Sequence, residues 1–411
     1  MRSVPRALAG VALVLFLPAP TPAQPLGPLT LGEAVARGLA HSPLRQAAAA
    51  RVEGADTAAR LVPALPNPVL DLRGENLATE GPPIDVFAVL TQPIEIGGKR
   101  GARQAIASAE RDVSAADLDA VTRRVALDIT EAYLRVIRAE ALSNALATQR
   151  ADLTGIVAAL RRRLEEGVVA EADVRKLETE ANRVGIDALR ARLEADRAAA
   201  VLGVLLGEEP TALAGRLVVP ELPPPDAPDL EPRLDAAVEA DPVVAGARAR
   251  HAHALTSARL ERARSVPDVG VSGGYKRTSD YDTGVLGVVL ALPLFDRNLG
   301  AVARADAAVR AADLDLAVAR AVARAALVAD VSAARQLAAR ASETRRDLIE
   351  PAEIVRTAAR SAYSEGGGSV LGLVDAERVF IEAQRTALDL HVDAVLAAVR
   401  TRLALGEEIP R

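Results

Sequence analysis

The 411-residue chain has no cysteine and no tryptophan, and aromatic residues make up only 2% of it. Without cysteine there is no disulfide, no thiolate metal site, no cysteine nucleophile and no lipid attached through an N-terminal cysteine. So few rings also serve a bulky globular core poorly. The abundant Ala, Leu, Val, Arg, Asp and Glu suit long, closely packed helices instead. Neither sign of charge dominates: 50 Lys and Arg stand against 55 Asp and Glu, a formal net charge of -5, which argues against nucleic acid as a partner. The four histidines, His41, His251, His253 and His391, show no zinc-type spacing. Gly97-Gly98-Lys99-Arg100 lacks the spacing of a phosphate loop and reads as a strand-to-helix junction. No nucleophile–base pair stands out. A catalytic role is therefore the weakest reading, and no metal site or other cofactor is expected.

Long apolar runs are missing too. The run at residues 7–17 follows Arg2 and Arg6 and precedes Thr21-Pro22-Ala23. It falls well short of the ~20 residues that span a bilayer as a helix. Basic, then apolar, then small is the order of a secretory signal peptide, here residues 1–23. No later segment has the length and apolarity of a transmembrane helix.

What the chain does contain is written twice. Leu206-Gly207-Glu208-Glu209 recurs 199 residues on as Leu405-Gly406-Glu407-Glu408, and Gly167 finds its counterpart 199 residues on at Gly366. Leu90-Thr91-Gln92-Pro93-Ile94 recurs 200 residues on as Leu290-Ala291-Leu292-Pro293-Leu294. The repeats are residues 24–219 and 233–411, joined by a Pro-rich linker at 220–232 that cannot continue a helix. Each opens with helix, 31–65 and 234–264, broken at Ser42-Pro43 and Asp241-Pro242, because the residue before proline disfavours the helical region. Two strand-like runs follow, within about 66–95 and 267–295. In 68–76, Leu70 and Leu72 alternate with Asp71, Arg73 and Glu75. In the second repeat, Val269, Val271 and Tyr275 alternate with Gly270, Ser272 and Lys276. The partner runs, 84–94 and 285–295, are more apolar, and roughly ten residues matches a tilted membrane strand. Gly81-Pro82-Pro83 and Ser279-Asp280-Tyr281-Asp282 separate the runs as turns.

A long helix comes next, about 98–165 and 299–363. A seven-residue series runs Leu118, Val125, Ala132, Ala139, Leu146, Leu153, Leu160 in the first repeat, and Leu327, Ala334, Ala341, Leu348, Val355 in the second. Heptads sustained this far argue for coiled-coil-like packing. A shorter helix then returns, about 171–206 and 370–405. Four strands cannot close a barrel, and an open edge is not viable in lipid. Three chains supply twelve strands, the even number such barrels need. Asp71, Arg73 and Glu75 would then line water while Leu70 and Leu72 face lipid. Phe87, Tyr275, Tyr281 and Phe295 fall in or beside the strands, where interfacial girdles place aromatics.

At this point the residues resemble a known family. Leu29-Thr30-Leu31-Gly32-Glu33-Ala34-Val35, then Ser42-Pro43, is similar to the opening of TolC-type outer-membrane efflux proteins. Pro66-Asn67-Pro68, Glu75-Asn76 and Gln92-Pro93-Ile94-Glu95-Ile96-Gly97-Gly98-Lys99-Arg100 resemble the heavy-metal branch, and Tyr363-Ser364-Glu365-Gly366 with Asp375-Ala376 resembles its second-half turn. The resemblance covers about residues 30–408. It implies a mostly α fold with a small β part: two tandem repeats forming a periplasmic α-barrel below a trimeric 12-stranded transmembrane β-barrel. It further implies an outer-membrane exit duct, a homotrimer in outer-membrane lipid, docked to a periplasmic adaptor and an inner-membrane RND-type pump. Carried over by residue, the adaptor-docking tips are Gly167, Val168 and Val169 in the first repeat and Gly366, Gly367 and Ser369 in the second. Asp375 matches an aperture-narrowing acidic position, while Gly372 occupies the other such position and Gly368 stands where a basic residue can help hold the closed state. The possible cargo is heavy-metal cations. Two competing classes remain. A periplasmic adaptor would need one helical hairpin set in β-rich domains, and a pore-free coiled-coil scaffold would leave the amphipathic strands unexplained.

Overall fold

The computed structural model describes residues 27–62, 64–77, 84–224 and 232–409. The expected signal peptide, the Gly81-Pro82-Pro83 turn and linker residues 225–231 lie outside the described residues.

Proline sets the first break of each repeat. Helix α1 (Leu31–His41) stops at Ser42, and α2 (Pro43–Leu61) starts at once, with the Ser42 hydroxyl accepting from the Arg45 N–H. Helices α5 (Leu234–Ala240) and α6 (Pro242–Arg264) repeat the device with Asp241, whose carboxylate accepts from the Val243 N–H. Proline at the first helical position forgoes only an N–H that has no intrahelical partner there. The first helical stretch ends at Leu61 rather than continuing to residue 65.

Helix α3 (Lys99–Glu165) is unbroken over 67 residues, about 100 Å of helix. Its expected seam is real. Val125, Ala132, Ala139, Leu146, Leu153 and Leu160 are all buried. α2, α6, α9 (Val370–Ala404) and α4 (Glu171–Leu206) all pack on α3. Near the strands the helices lie in the order α2, α3, α6, α7 (Leu299–Thr344). Toward the opposite end the order becomes α4, α3, α9, with α7 and α8 (Glu350–Ser364) beside α9.

The second repeat does not match the first here. Its long helix is not continuous to residue 363: a π-helical turn at Arg345–Ile349 divides α7 from α8. Pro351 supplies the reason. It has no N–H to give the preceding turn, and the Glu350 N–H reaches back five residues to the Arg345 carbonyl. The wider turn shifts the helical phase. Ala341 is buried as the heptad requires, but beyond the π turn Ala352 rather than Val355 is buried, and Val355 is 52% exposed.

Midway along α3, fully buried Tyr133 anchors the largest apolar cluster. Its hydroxyl lies 2.7 Å from both the Leu29 and Val218 carbonyl oxygens, holding the start of α1 against the strand-like segment that leads into the linker.

Strands β1 (Val69–Glu75), β2 (Asp85–Ile94), β3 (Val269–Thr278) and β4 (Tyr281–Leu290) form one antiparallel sheet in chain order. The fourth strand starts four residues earlier than the apolar run at 285 and ends before 295. Ser279 and Asp280 alone make the hairpin turn, with Ser279 taking a positive φ, so Tyr281 already pairs with Thr278.

Candidate functional site: the sheet mouth and the helical tips

Cross-strand register sorts the sheet into two faces, because directly opposed residues share a side. Leu70 and Leu72 lie opposite Leu90 and Ala88. These continue through Gly273 and Tyr275 to Leu286 and Gly284. The next pairings add Ile94, Val269 and Leu290, then Val271 and Val288. This face is an exposed apolar band, with Leu72 71% and Leu286 87% exposed. The other face carries Asp71, Arg73 and Glu75, which oppose Val89, Phe87 and Asp85. Beyond them lie Gly274, Lys276 and Thr278.

The glycines reveal the curvature. On the polar face, a Cβ at Gly274 would meet the Ala88 carbonyl oxygen at 2.4 Å, and one at Gly287 would meet the Ser272 hydroxyl at 2.7 Å. On the apolar face, Gly273 and Gly284 have nothing within 4 Å. The sheet therefore curls toward its polar face, which is concave. Ten-residue strands at about 3.3 Å per residue suit an apolar band some 25 Å tall when tilted.

Asp71, Arg73 and Glu75 thus share the concave face, and it holds two further charged groups that the alternation of 84–94 did not single out. Asp85 is buried at the head of β2, 3.3 Å from the Lys276 ammonium. Lys276 also stands 4.6 Å over the Phe87 ring. Phe87 therefore belongs to the concave face rather than to an outer aromatic girdle. Tyr275 is on the apolar face, Tyr281 on the concave face, and fully exposed Phe295 lies beyond β4.

The opposite end is built from two helical hairpins with the same turn. Gly167 ends α3 with φ +72. Its N–H reaches the Leu164 carbonyl, and the Val168 N–H reaches the Arg163 carbonyl. Gly366 ends α8 with φ +84. Its N–H reaches the Tyr363 carbonyl, and the Gly367 N–H reaches the Ala362 carbonyl. Both are Schellman turns, which place the residue after the helix in the left-handed region that glycine enters without penalty. Gly406 closes α9 by the same pattern, while Gly207 closes α4 in the left-handed region with its own N–H and that of Glu208 both on the Gly203 carbonyl. Val168 is 61% exposed at its tip, and Gly167, Gly366 and Gly367 are exposed with it. Val169 differs, packing half-buried against the apolar cluster of the tips with Leu164 and Tyr363. Ser369 caps α9 through the Gly372 N–H. Gly368 has a steric reason to be glycine, since a Cβ there would come within 2.8 Å of the Tyr363 nitrogen. Asp375 is exposed on the second turn of α9; the bond to Glu180 raises the pKa of Arg378, and the negative charge of Asp375 adds to it.

Just above the tips, ion pairs join the two repeats. Glu180 on α4 accepts from Arg378 on α9 at 2.5 and 3.0 Å and from Arg183 at 2.6 Å. Burial alone would raise its pKa, but these two guanidinium groups hold the carboxyl down at about 2. On the other side of the hairpins, Arg360 donates to Glu377 at 2.5 Å and to Asp152 of the first repeat at 2.8 Å. Glu377 is 1% exposed. Sequence reading passed over these residues, yet a signal exists: Arg161 and Glu178, bonded at 2.8 Å, stand 199 residues before Arg360 and Glu377. The pair is duplicated with the repeat.

Comparison with known proteins bears on what this arrangement does. A family model described as outer membrane efflux protein matches the chain twice, at residues 35–208 and 234–407. The cobalt-zinc-cadmium resistance protein CzcC of Cupriavidus metallidurans is 29% identical over 395 residues, covering 94% of this chain and 92% of that protein. The nickel and cobalt resistance protein CnrC of the same organism is 32% identical over 297 residues, 68% of this chain and 67% of that protein. Among solved structures, the outer membrane protein VceC of Vibrio cholerae superposes with a TM-score of 0.77 at 22% identity, covering 92% of this chain and 97% of that one.

Proposed function

This chain belongs to the outer membrane efflux protein family, and from that premise we propose that three copies close into one continuous exit duct for cargo handed over from the periplasm. Membership makes the chain an outer-membrane efflux channel subunit, which sets aside the adaptor and scaffold readings. The threefold assembly, its partners and its cargo are the proposal.

One observation carries the ring: the open sheet edges and two helices with long rows of exposed apolar residues lie on the same two sides of the single copy. Strands β1 and β4 are the open edges of the sheet. Central helix α3 has no large hydrophobic residue exposed. Edge helix α4 exposes Ile186, Leu189, Leu193, Val201 and Val204, and edge helix α7 exposes Leu299, Leu314, Val318, Val322 and Val328. A copy whose β4 pairs with the next copy's β1 brings its α7 edge toward that copy's α2 and α4. Repetition of one such contact closes a ring, and twelve strands remove every sheet edge from lipid.

In this reading the apolar sheet face meets outer-membrane lipid, and Asp71, Arg73 and Glu75 line the barrel lumen. Gly167, Val168, Gly366, Gly367 and Ser369 present the docking surface for a periplasmic adaptor bound to an inner-membrane pump, with half-buried Val169 seating the first turn behind them. Asp375 narrows the aperture at that end. Residues 1–23 direct export, and the barrel holds the complex in the membrane. The metal-resistance relatives favour divalent metal cations as cargo.

Two experiments test this. Detergent extraction from outer membranes, with mass determination of the intact complex, is expected to return a homotrimer; a detergent-independent monomer or dimer removes the duct. Val168→Glu is expected to abolish metal resistance in cells while the trimer persists. Full resistance in that variant removes the tips as the docking surface.

A further inference from the structure

The concave face of the sheet is charged at one end only. Asp71, Arg73, Glu75, Asp85 and Lys276 all lie in the half nearest the hairpin turns, the half farthest from the helices. Toward the helices the same face presents Thr91, Pro93, Ser272, Gly270, Gly287 and Val289. Three acids and two bases do not cancel. Arg73 neutralises Asp71 at 2.7 Å, and Lys276 stands 3.3 Å from Asp85. Glu75 has no ion-pair partner among the described residues. In addition, Glu75 and Asp85 are directly opposite one another, a placement that costs stability when both are ionised. Asp85 is 7% exposed, and its Oδ1 finds no hydrogen-bond partner among the described residues. With Arg73 and Lys276 each offsetting one acid, Glu75 leaves this end of the concave face one net negative charge per copy.

We propose that Glu75 and Asp85 form a cation-attracting collar at the distal mouth of the barrel, one uncompensated negative charge per copy, which favours hydrated inorganic cations, divalent ions included, over anions at the exit. Lys276 is the tuning residue. Held over the Phe87 ring, it stays beside Asp85 and cancels a second negative charge. The collar rests on the duct reading, because its charges add up only when copies surround one lumen. A low-dielectric wall lined by one sign of charge concentrates counter-ions.

The test is the reversal potential of the purified, full-length complex in planar bilayers under a KCl gradient, at about 0.01 M on the dilute side, where fixed charges act over about 30 Å. The native complex is expected to prefer potassium over chloride. Glu75→Gln is expected to lower that preference at least about twofold, and Lys276→Gln to raise it by a similar factor. Magnesium added on the distal side is expected to reduce native potassium current and to do so less in Glu75→Gln. A conducting complex whose ion preference is the same in both variants overturns the collar and leaves the duct intact. A native complex that inserts and conducts nothing overturns the duct, and the collar with it.

Discussion

The duplicated arginine–glutamate pair offers a controlled comparison within one protein. Arg161–Glu178 and Arg360–Glu377 hold corresponding places in the two repeats, but their surroundings differ. Arg161 is 63% exposed and its partner 16%, whereas Glu377 is 1% exposed and Arg360 also reaches Asp152 of the other repeat. Arg360→Ala leaves a carboxylate buried against α8 with neither oxygen paired. Stranding one member of a buried pair costs about 3–5 kcal/mol. Arg161→Ala removes an ion pair open to solvent, worth about 0–1 kcal/mol. Because a large membrane complex does not unfold in a single step, the reliable readout is the order of variants. In thermal melts of the detergent-solubilised complex, and in protease cleavage near the tips, Arg360→Ala is expected to be clearly weaker than native and Arg161→Ala nearly native. The double variant Arg360→Met/Glu377→Leu is expected to recover much of the loss, since an apolar pair leaves no charge stranded. Equal losses in the two alanine variants, or no gain from the apolar pair, would refute burial as the distinguishing cause.

Other residues give sharp expectations. Tyr133→Phe removes the hydroxyl shared by the Leu29 and Val218 carbonyls, so a loss of about 1–2 kcal/mol is expected in thermal melts, with faster hydrogen exchange in the segment around residue 218. Gly368→Ala forces a Cβ against the Tyr363 nitrogen, whereas Gly167→Ala meets only the left-handed penalty. Proteolysis at the second tip is therefore expected to rise more than at the first, where the cost is about 1–2 kcal/mol. Glu180 is held at about 2 against an ordinary value near 4.5. Its contribution is therefore present above about pH 4.5 and is lost as pH falls toward 2. Melting midpoints taken down that range should drop in the native complex and drop less in Arg378→Ala.

Much of the fold was legible because proline, glycine and periodicity act locally. Ser42-Pro43 and Asp241-Pro242 break helices whatever surrounds them, and a seam from Val125 to Leu160 buries itself by spacing alone. The misreadings share one origin, a local cue whose effect depends on a partner. The second heptad series was read through Pro351, although that residue cannot donate to the preceding turn, and the resulting π turn moves burial from Val355 to Ala352. Tyr281 and Asp282 looked like turn residues until the register paired them with Thr278 and Arg277. Alternation put Asp71, Arg73 and Glu75 on one face, but only the pairing of β1 with β2 shows that Phe87 and Asp85 share it, and only that of β2 with β3 adds Lys276. Asp152 and Arg360 are 208 residues apart and meet only where the repeats pack together. No window of sequence contains both. The repeat itself could have exposed part of this site: laid over each other at an offset of 199, the two halves keep Gly167 with Gly366, Arg161 with Arg360 and Glu178 with Glu377. In one copy of a duplicated hairpin the pair stays at the surface. In the other it is buried at the seam between repeats, where losing it costs most.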